Sequence, residues 1–222
     1  MIAGQLEKVR ASLRQGVKLV AVSKFHPVEA LKEAYDAGQR MFGESHVQEM
    51  VAKHEVLPAD IEWHFIGHLQ TNKVKYMAPF VSLIHAVDSL KLLREIDRQA
   101  ARCGRVIDVL LQLHVAAEET KFGFSPDELL EMLEAGEWRE LKNVRIVGLM
   151  AMATNTDDEA RVESDFECAR QMFDQVRTRY FDGEPSFREL SMGMSGDYLL
   201  AQRHGSTMVR VGTTIFGERD YT

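Results

Sequence analysis

Leu19-Val20-Ala21-Val22-Ser23-Lys24 is an apolar run, rich in β-branched residues, that ends on a lysine. Phe25-His26-Pro27 follows at once, and residues 28–38 then carry apolar side chains at helical spacing up to a glycine. This order is typical of a buried strand that leads into an amphipathic helix. Because the same order recurs along the chain, the stretch represents the unit from which the fold is built.

Strand-like segments occur at regular intervals, and a helical segment follows each one except the last. They span residues 17–24, 40–42, 61–67, 81–87, 106–115, 144–152, 189–192 and 207–216. Such alternation predicts a parallel sheet, and eight units predict a closed (β/α)8 barrel, an α/β fold of the TIM-barrel type. An open, doubly wound sheet is the alternative, because strands two and seven are weak. We expect a single domain over residues 1–222, with an extra helix at residues 4–15 before the first strand.

Two helix starts are well marked in the second half of the chain. Ser125-Pro126-Asp127-Glu128 has the pattern of a capping box with proline at the first helical position. Asp157-Asp158-Glu159 precedes residues 162–180, whose apolar side chains recur alternately four and three positions apart. That spacing predicts a long amphipathic helix, and the acidic residues mark its start.

Composition and charge make binding to nucleic acids or to anionic membranes unfavourable for this chain. The chain has 222 residues, of which 45% are hydrophobic and 27% charged, and a formal net charge of −7. A nucleic acid or an anionic membrane needs a basic surface, which this balance disfavours. Cys103 and Cys168 have no spaced partners, which is typical of reduced thiols. The N-terminal residues lack the pattern of a signal peptide, so we expect a soluble, cytoplasmic protein.

Lys24 is the first candidate for chemistry. With the alternation of a strand, Val20, Val22 and Lys24 share one face. An ammonium group there is costly unless it meets an anion, has a lowered pKa or is consumed in a covalent bond. The last two options describe a lysine that forms a Schiff base. On strand position alone, a lysine that reaches out to solvent is the commoner case.

The ends of strands seven and eight carry a second group of candidates. A TIM barrel often holds phosphate there, at the carboxyl ends of its strands. Ser195 and Gly196 follow strand seven, and Arg210, Gly212 and Thr213 lie in or after strand eight. Glycine allows close backbone approach, and the hydroxyls and guanidinium can donate to an anion. A lysine that forms a Schiff base beside a phosphate site suits a phosphorylated aldehyde, for which pyridoxal 5'-phosphate (PLP) is the obvious candidate.

The chain resembles a known family, the YggS/PROSC family of PLP homeostasis proteins. That family is related to the N-terminal barrel of alanine racemase. The matching stretches run in order along residues 19–221: LVAVSK, FGESHVQE, WHFIGHLQTNK, TKFGF, GLMAM, LSMGMSGDY and GSTMVRVGTTIFGERDY. The resemblance implies a barrel of PLP fold type III with PLP bound to Lys24. It also implies which residues contact the phosphate: Ser195, Gly196, Gly212 and Thr213.

The resemblance adds two further expectations about the cofactor. Arg210 would lie near the pyridine nitrogen or the phosphate. If it faces the nitrogen, that nitrogen stays unprotonated, because arginine only donates, and PLP then becomes a poorer electron sink. Ser45 and His46 stand where the family pattern has asparagine and tyrosine. Ser45 is thus a candidate cofactor contact that is shorter than the family residue and lacks its amide.

Other polar and sulfur-bearing residues are weaker candidates. His64 and His68 lie four apart but in and after a strand, so we expect no zinc site, and no metal. Met150, at the end of strand six, could pack against a cofactor ring, as could Met152, although core packing is commoner. Tyr198 and Tyr221 could act as acids or bases, although packing roles are again commoner.

Three functions follow from these residues. The first is a PLP-binding protein that holds PLP on Lys24 for homeostasis, without robust turnover, as a monomer with PLP-dependent apoenzymes as possible partners. The second is a PLP-dependent amino-acid racemase, which needs an acid and a base on opposite faces of the substrate. The resemblance implies that one of these comes from an additional β domain, which we do not expect in a chain that ends soon after strand eight. The third is an aldolase that uses Lys24 without a cofactor.

Overall fold

The computed structural model describes residues 1–118 and 122–218, and its eight strands form a closed parallel barrel. The strands follow one another in chain order, and the last pairs with the first. Their bounds are β1 Lys18–Val22, β2 Met41–Glu44, β3 Glu62–Phe65, β4 Leu83–Val87, β5 Ile107–Leu113, β6 Val144–Ala151, β7 Glu189–Ser191 and β8 Met208–Val211. The predicted (β/α)8 barrel is therefore confirmed, and an open sheet is excluded.

Helices surround the barrel, and an extra one precedes β1 as the sequence predicts. In chain order they are α1 Ile2–Ala11, α2 Val28–Asp36, α3 Val47–Val56, α4 Val74–Met77, α5 Leu90–Arg102, α6 Pro126–Ala135, α7 Glu159–Tyr180, α8 Tyr198–Arg203 and α9 Thr213–Phe216. Short 3-10 helices occur at Thr71–Lys73 and Glu137–Glu140. Within the two described ranges, no helix combines the length and apolarity needed to cross a membrane.

Alternation along each strand divides the core into two parts. Leu19 and Ala21 point outward and belong to the large apolar core between the sheet and the helices. Val20 points inward and packs with Leu110, Met208 and the other apolar residues of the barrel interior. Burial on both faces explains why the strands are almost continuously apolar in sequence.

The marked helix starts are confirmed by side-chain hydrogen bonds. The Ser125 hydroxyl accepts from the Glu128 amide at 3.2 Å, and the Glu128 carboxylate accepts from the Ser125 amide at 2.8 Å. The Asp158 carboxylate accepts from the Ala160 amide at 3.1 Å at the start of α7. Each cap satisfies amides that have no partner inside the helix, so the local sequence is sufficient to start these helices.

Strand eight is shorter than its sequence pattern predicts. The β-branched residues up to 216 favour a strand, but β8 ends at Val211 and α9 begins at Thr213. Ile215 is only 2% exposed, and the N-terminal helix α1 packs on α9. Tertiary packing thus overrides the local preference for strand, because residues 213–216 form a helical turn that packs on α1 and in which Ile215 is buried.

The two mouths of the barrel differ in chemistry. At the amino-terminal mouth, a cavity of about 330 Å³ is lined by charged side chains that pair with each other, such as Lys18 with Glu189 and Arg145 with Asp108. At the carboxyl-terminal end, a cavity of about 710 Å³ lies between the loops after β6 and β7 and extends between helices α7 and α8. Because barrel sites form at the carboxyl ends of strands, the second mouth is where the candidate residues lie.

Candidate functional site

Lys24 lies at the carboxyl-terminal mouth, two residues after β1 ends, and it is half-buried. The next residue, Phe25, has a φ of +66°, a backbone conformation that is unusual for an aromatic residue. The turn closes where the His26 amide donates to the Ser23 carbonyl at 3.1 Å. Lys24 is therefore carried on a tight, strained turn and not on a free loop.

The two loops predicted to bind phosphate meet beside β1. The Gly212 amide, after β8, donates to the Ser195 hydroxyl, after β7, at 3.1 Å. A Cβ atom at Gly212 would lie 3.1 Å from the carbonyl oxygen of Val22. Such a contact is tighter than most Cβ contacts, so glycine suits this position and the loops lie directly against the strand that leads to Lys24.

Gly196 leaves open space at the wall of the cavity. A Cβ atom placed there would meet nothing within 4 Å, and Gly196 lines the cavity together with Met152 and Asp197. Among the described residues, the amides of Ser195 and Gly196 donate to no protein acceptor. Thr213, at the start of α9, is exposed to solvent. Of the residues predicted to bind phosphate, Gly196 lines this cavity, whereas Ser195, Gly212 and Thr213 do not. The loop after β7 thus offers unused amides beside the cavity, and an anion needs such donors.

Arg210 lies inside the barrel and is only 3% exposed. Its guanidinium donates to the Ser191 hydroxyl at 2.6 Å and to the Ala151 carbonyl at 3.0 Å. Burial lowers the pKa of Arg210 to about 10, and Asp197 opposes that shift. The group therefore keeps its charge near neutral pH and is oriented by the ends of β6 and β7.

Two buried histidines continue this hydrogen-bonded chain through the barrel. The Ser191 hydroxyl lies 3.0 Å from His85 Nδ1, and His85 Nε2 lies 2.9 Å from His64 Nδ1. Burial lowers the pKa of His64 to about 3, with a further effect from Lys18, and lowers that of His85 well below 6.5. Both rings are neutral at pH 7. Among the described residues, no group of three His, Cys, Asp or Glu side chains is placed to hold a metal ion.

Neutral His64 makes folding stability depend on pH. Between pH 6.5 and about 3 the unfolded chain binds a proton at this histidine that the folded chain does not. The free energy of unfolding should fall with falling pH, by about 1.4 kcal/mol per pH unit for one such proton. We expect His64→Asn to reduce this slope in denaturant unfolding measured from pH 6 to 4. An unchanged slope would contradict the buried, neutral state of His64.

A buried cluster that the sequence motifs do not predict lies beside the Lys24 turn. Lys53, on α3, is 5% exposed, and its amine donates to the Glu44 carboxylate at 2.8 Å and to the Glu49 carboxylate at 2.7 Å. Burial raises the pKa of Glu44 to about 7, against the effects of Lys53 and Ser23. Both glutamates belong to the stretch FGESHVQE, and Lys53 follows Glu49 by one helical turn. The spacing of Glu49 and Lys53 is the one feature of the sequence that indicates an interaction between these residues.

The remaining candidates lie in different surroundings. Ser45 is half-buried after β2, with its hydroxyl 3.2 Å from His46 Nδ1. Met150 is 1% exposed and packs inside the barrel, whereas Met152 lies further toward the cavity. Tyr198 packs against the N-terminal helix region, with its hydroxyl 3.0 Å from that of Ser12. Tyr221 and part of the stretches TKFGF and GSTMVRVGTTIFGERDY lie outside the described residues.

Known proteins share both the sequence and the fold of this chain. Residues 1–220 match the family model described as alanine racemase, N-terminal domain. A pyridoxal phosphate homeostasis protein of Aquifex aeolicus is 42% identical over 205 residues, which cover 92% of this chain and 88% of that protein. The structure of PipY from Synechococcus elongatus without PLP has a TM-score of 0.90 at 40% identity, and it covers 98% of this chain and 100% of PipY. The PipY structure with PLP bound has a TM-score of 0.86 at 38% identity, with the same coverage. As its motifs predict, this chain belongs to the pyridoxal phosphate homeostasis protein family, the YggS/PROSC family.

Proposed function

We propose that this chain binds PLP at the carboxyl-terminal mouth of its barrel, as a Schiff base on Lys24, and serves PLP homeostasis. The observation that carries the proposal is the meeting of the Ser195 and Gly212 loops against the strand that leads to Lys24. An amine next to an anion site suits a phosphorylated aldehyde. The names of the relatives and the structure of PipY with PLP bound support the same cofactor.

The chain's own groups suit the two ends of PLP. PLP supplies an aldehyde carbon and a phosphate group. The Lys24 amine would form the C=N bond with that carbon, and the carbonyl oxygen would leave as water. The Ser195 hydroxyl and the amides of Ser195 and Gly196 would hold the phosphate, together with Gly212 and Thr213.

Arg210 supports a role without robust turnover. A guanidinium donates and carries positive charge, so it cannot serve as the anionic partner that keeps a pyridine nitrogen protonated. If Arg210 faces the ring nitrogen, the ring withdraws electrons poorly, which disfavours carbanion chemistry. Met150 and Ser45 remain proposed contacts at the ring and its edge. We further propose that residues 1–222 act as one unit, as a monomer that exchanges PLP with apoenzymes.

The first test is the absorption spectrum of the protein with added PLP. We expect a visible band from the C=N bond, which borohydride reduction should convert to a stable adduct on Lys24 that peptide mass mapping can locate. An aldolase without a cofactor would stay colourless. A racemase would show the band but would also interconvert the enantiomers of an amino acid at enzyme-like rates, a result that would overturn the homeostasis role.

Gly196→Ala tests the phosphate site without disturbing the fold. Since the added methyl group meets nothing within 4 Å in the protein, we expect the free energy of unfolding to change by less than about 0.5 kcal/mol. The methyl group would enter the space of the phosphate, so the dissociation constant for PLP should rise about tenfold, or about 1.4 kcal/mol. Denaturant unfolding and titration by absorbance measure the two effects. Unchanged PLP affinity would place the phosphate elsewhere.

A further inference from the structure

The turn that carries Lys24 is strained. Phe25 is the one residue other than glycine with a positive φ, +66°, among residues 1–118 and 122–218. Such a conformation costs about 1–3 kcal/mol and persists only where the surrounding structure holds it. Phe25 is 38% exposed, and the centroid of its ring lies 5.1 Å from that of the His46 ring. Polar groups on neighbouring elements add hydrogen bonds that hold the backbone of the turn.

Those groups are Glu44, Glu49 and Lys53, which we call the Lys53 cluster. The Glu49 carboxylate accepts from the Phe25 amide at 2.6 Å and, through the same oxygen, from the Lys53 amine at 2.7 Å. On the other side of Lys24, the Lys53 amine donates to the Ser23 carbonyl at 2.8 Å. The backbone is thus held both immediately before and immediately after Lys24.

The cluster also fixes the Ser23 side chain. The Ser23 hydroxyl donates to the Glu44 carboxylate at 2.6 Å, and the Lys53 amine donates to the same oxygen at 2.8 Å. Lys53 therefore has three acceptors for its three protons, one each from the ends of β1 and β2 and from its own helix α3. An amine so bonded has no free electron pair, and it serves to connect these three elements.

The burial of the cluster points to a geometric role. The Glu44 side chain is fully buried, and that of Lys53 is 6% exposed. A buried ion pair is weak support for stability alone, because well-packed apolar residues of similar volume often stabilise a protein as much or more. What this pair adds is a set of directed hydrogen bonds to the backbone on both sides of one residue.

We propose that Glu44, Glu49 and Lys53 are positioning residues that hold the Ser23–Phe25 turn so that the Lys24 amine can reach an aldehyde bound at the mouth of the barrel. This inference rests on the proposed function. It predicts that loss of the cluster impairs C=N bond formation more than it impairs binding of the phosphate.

Two variants and a matched control test the proposal. Lys53→Met removes all three hydrogen bonds, and Glu49→Gln weakens those to Lys53 and Phe25 at a less buried position. Lys32→Met breaks the exposed ion pair of Lys32 with Asp36 on α2 and serves as the control. Each protein is titrated with PLP, and the bound PLP is divided by its spectrum into C=N and free-aldehyde forms. The midpoint of thermal unfolding is measured on the same samples.

We expect the ratio of C=N to free-aldehyde PLP at saturation to fall about tenfold in Lys53→Met and by a smaller factor in Glu49→Gln, with Lys32→Met equal to the parent protein. If both variants unfold at lower temperature but keep the parent ratio, the cluster is only structural and the proposal is wrong. If Lys53→Met fails to fold, the ratio measured for Glu49→Gln decides whether the proposal holds. If the parent protein forms no adduct on Lys24, the proposed function fails first, and the positioning role fails with it.

Discussion

Lys24→Ala should abolish the visible band that PLP produces with this protein, because alanine has no amine to form the C=N bond. Among the described residues, the buried lysine is Lys53, which donates to three acceptors, and Lys18 lies at the opposite mouth in an ion pair with Glu189. Neither can take over the role of Lys24. The comparison requires the absorption spectrum of both proteins with PLP, before and after borohydride reduction.

The Lys24→Ala protein should still bind the phosphate end of PLP, since Ser195, Gly196 and Gly212 are unchanged. Quenching of protein fluorescence by PLP would report this residual binding. Lys32→Ala is the matched control, because Lys32 lies exposed on α2 and its pair with Asp36 spans one helical turn. A band that persists in Lys24→Ala, or a reduced adduct on another lysine, would refute the assignment of the Schiff base to Lys24.

Gly148→Ala should destabilise the barrel by at least about 3 kcal/mol and reduce the yield of folded protein. A Cβ atom at Gly148 would lie 1.7 Å from the carbonyl oxygen of Glu189 and 2.6 Å from its carbonyl carbon. Both atoms belong to the backbone of β7, which pairs with β6 at this position. The strands would have to separate where the register between β5 and β6 already shifts.

Gly4→Ala is the same chemical change, but we expect it to increase the free energy of unfolding. Gly4 lies in α1, and a Cβ atom there would meet nothing within 4 Å. We expect a gain of about 0.5–1 kcal/mol, because alanine loses less backbone entropy in a helix than glycine does. Denaturant unfolding of both variants measures the contrast. Equal effects at the two positions would mean that the backbones of β6 and β7 do not approach closely at Gly148.

Local sequence predicted the secondary structure where local interactions decide it. The capping box at Ser125 and the cap at Asp158 start their helices through hydrogen bonds within three residues. The predicted strand eight was longer than the observed one. Its last residues have the composition of a strand, but they form the helical turn α9, which packs on α1 and in which Ile215 is buried. Helix α1 lies at the other end of the chain, so no local pattern could show its effect.

The sequence predicted those residues of the candidate site whose location depends only on their position along a barrel strand. Lys24, Ser195, Gly196, Gly212 and Thr213 lie at or after the carboxyl ends of strands, and a parallel barrel brings those ends together. The Lys53 cluster was not predicted, although its residues lie within ten positions of one another. A glutamate and a lysine at that spacing are usually an exposed helical pair, and burial makes this one different.

The sequence by itself determined the repeating βα unit and the family, favoured a closed barrel over an open sheet, and placed Lys24 and the loops proposed to bind phosphate after the carboxyl ends of strands. These follow from hydrophobic periodicity, helix capping and ordered motifs, all of which are local along the chain. Only the tertiary structure decided that Arg210, Ser191, His85 and His64 form one hydrogen-bonded chain and that Lys53 connects the elements around Lys24. Their partners come from different strands, and the direction and burial of each side chain depend on how the whole barrel closes.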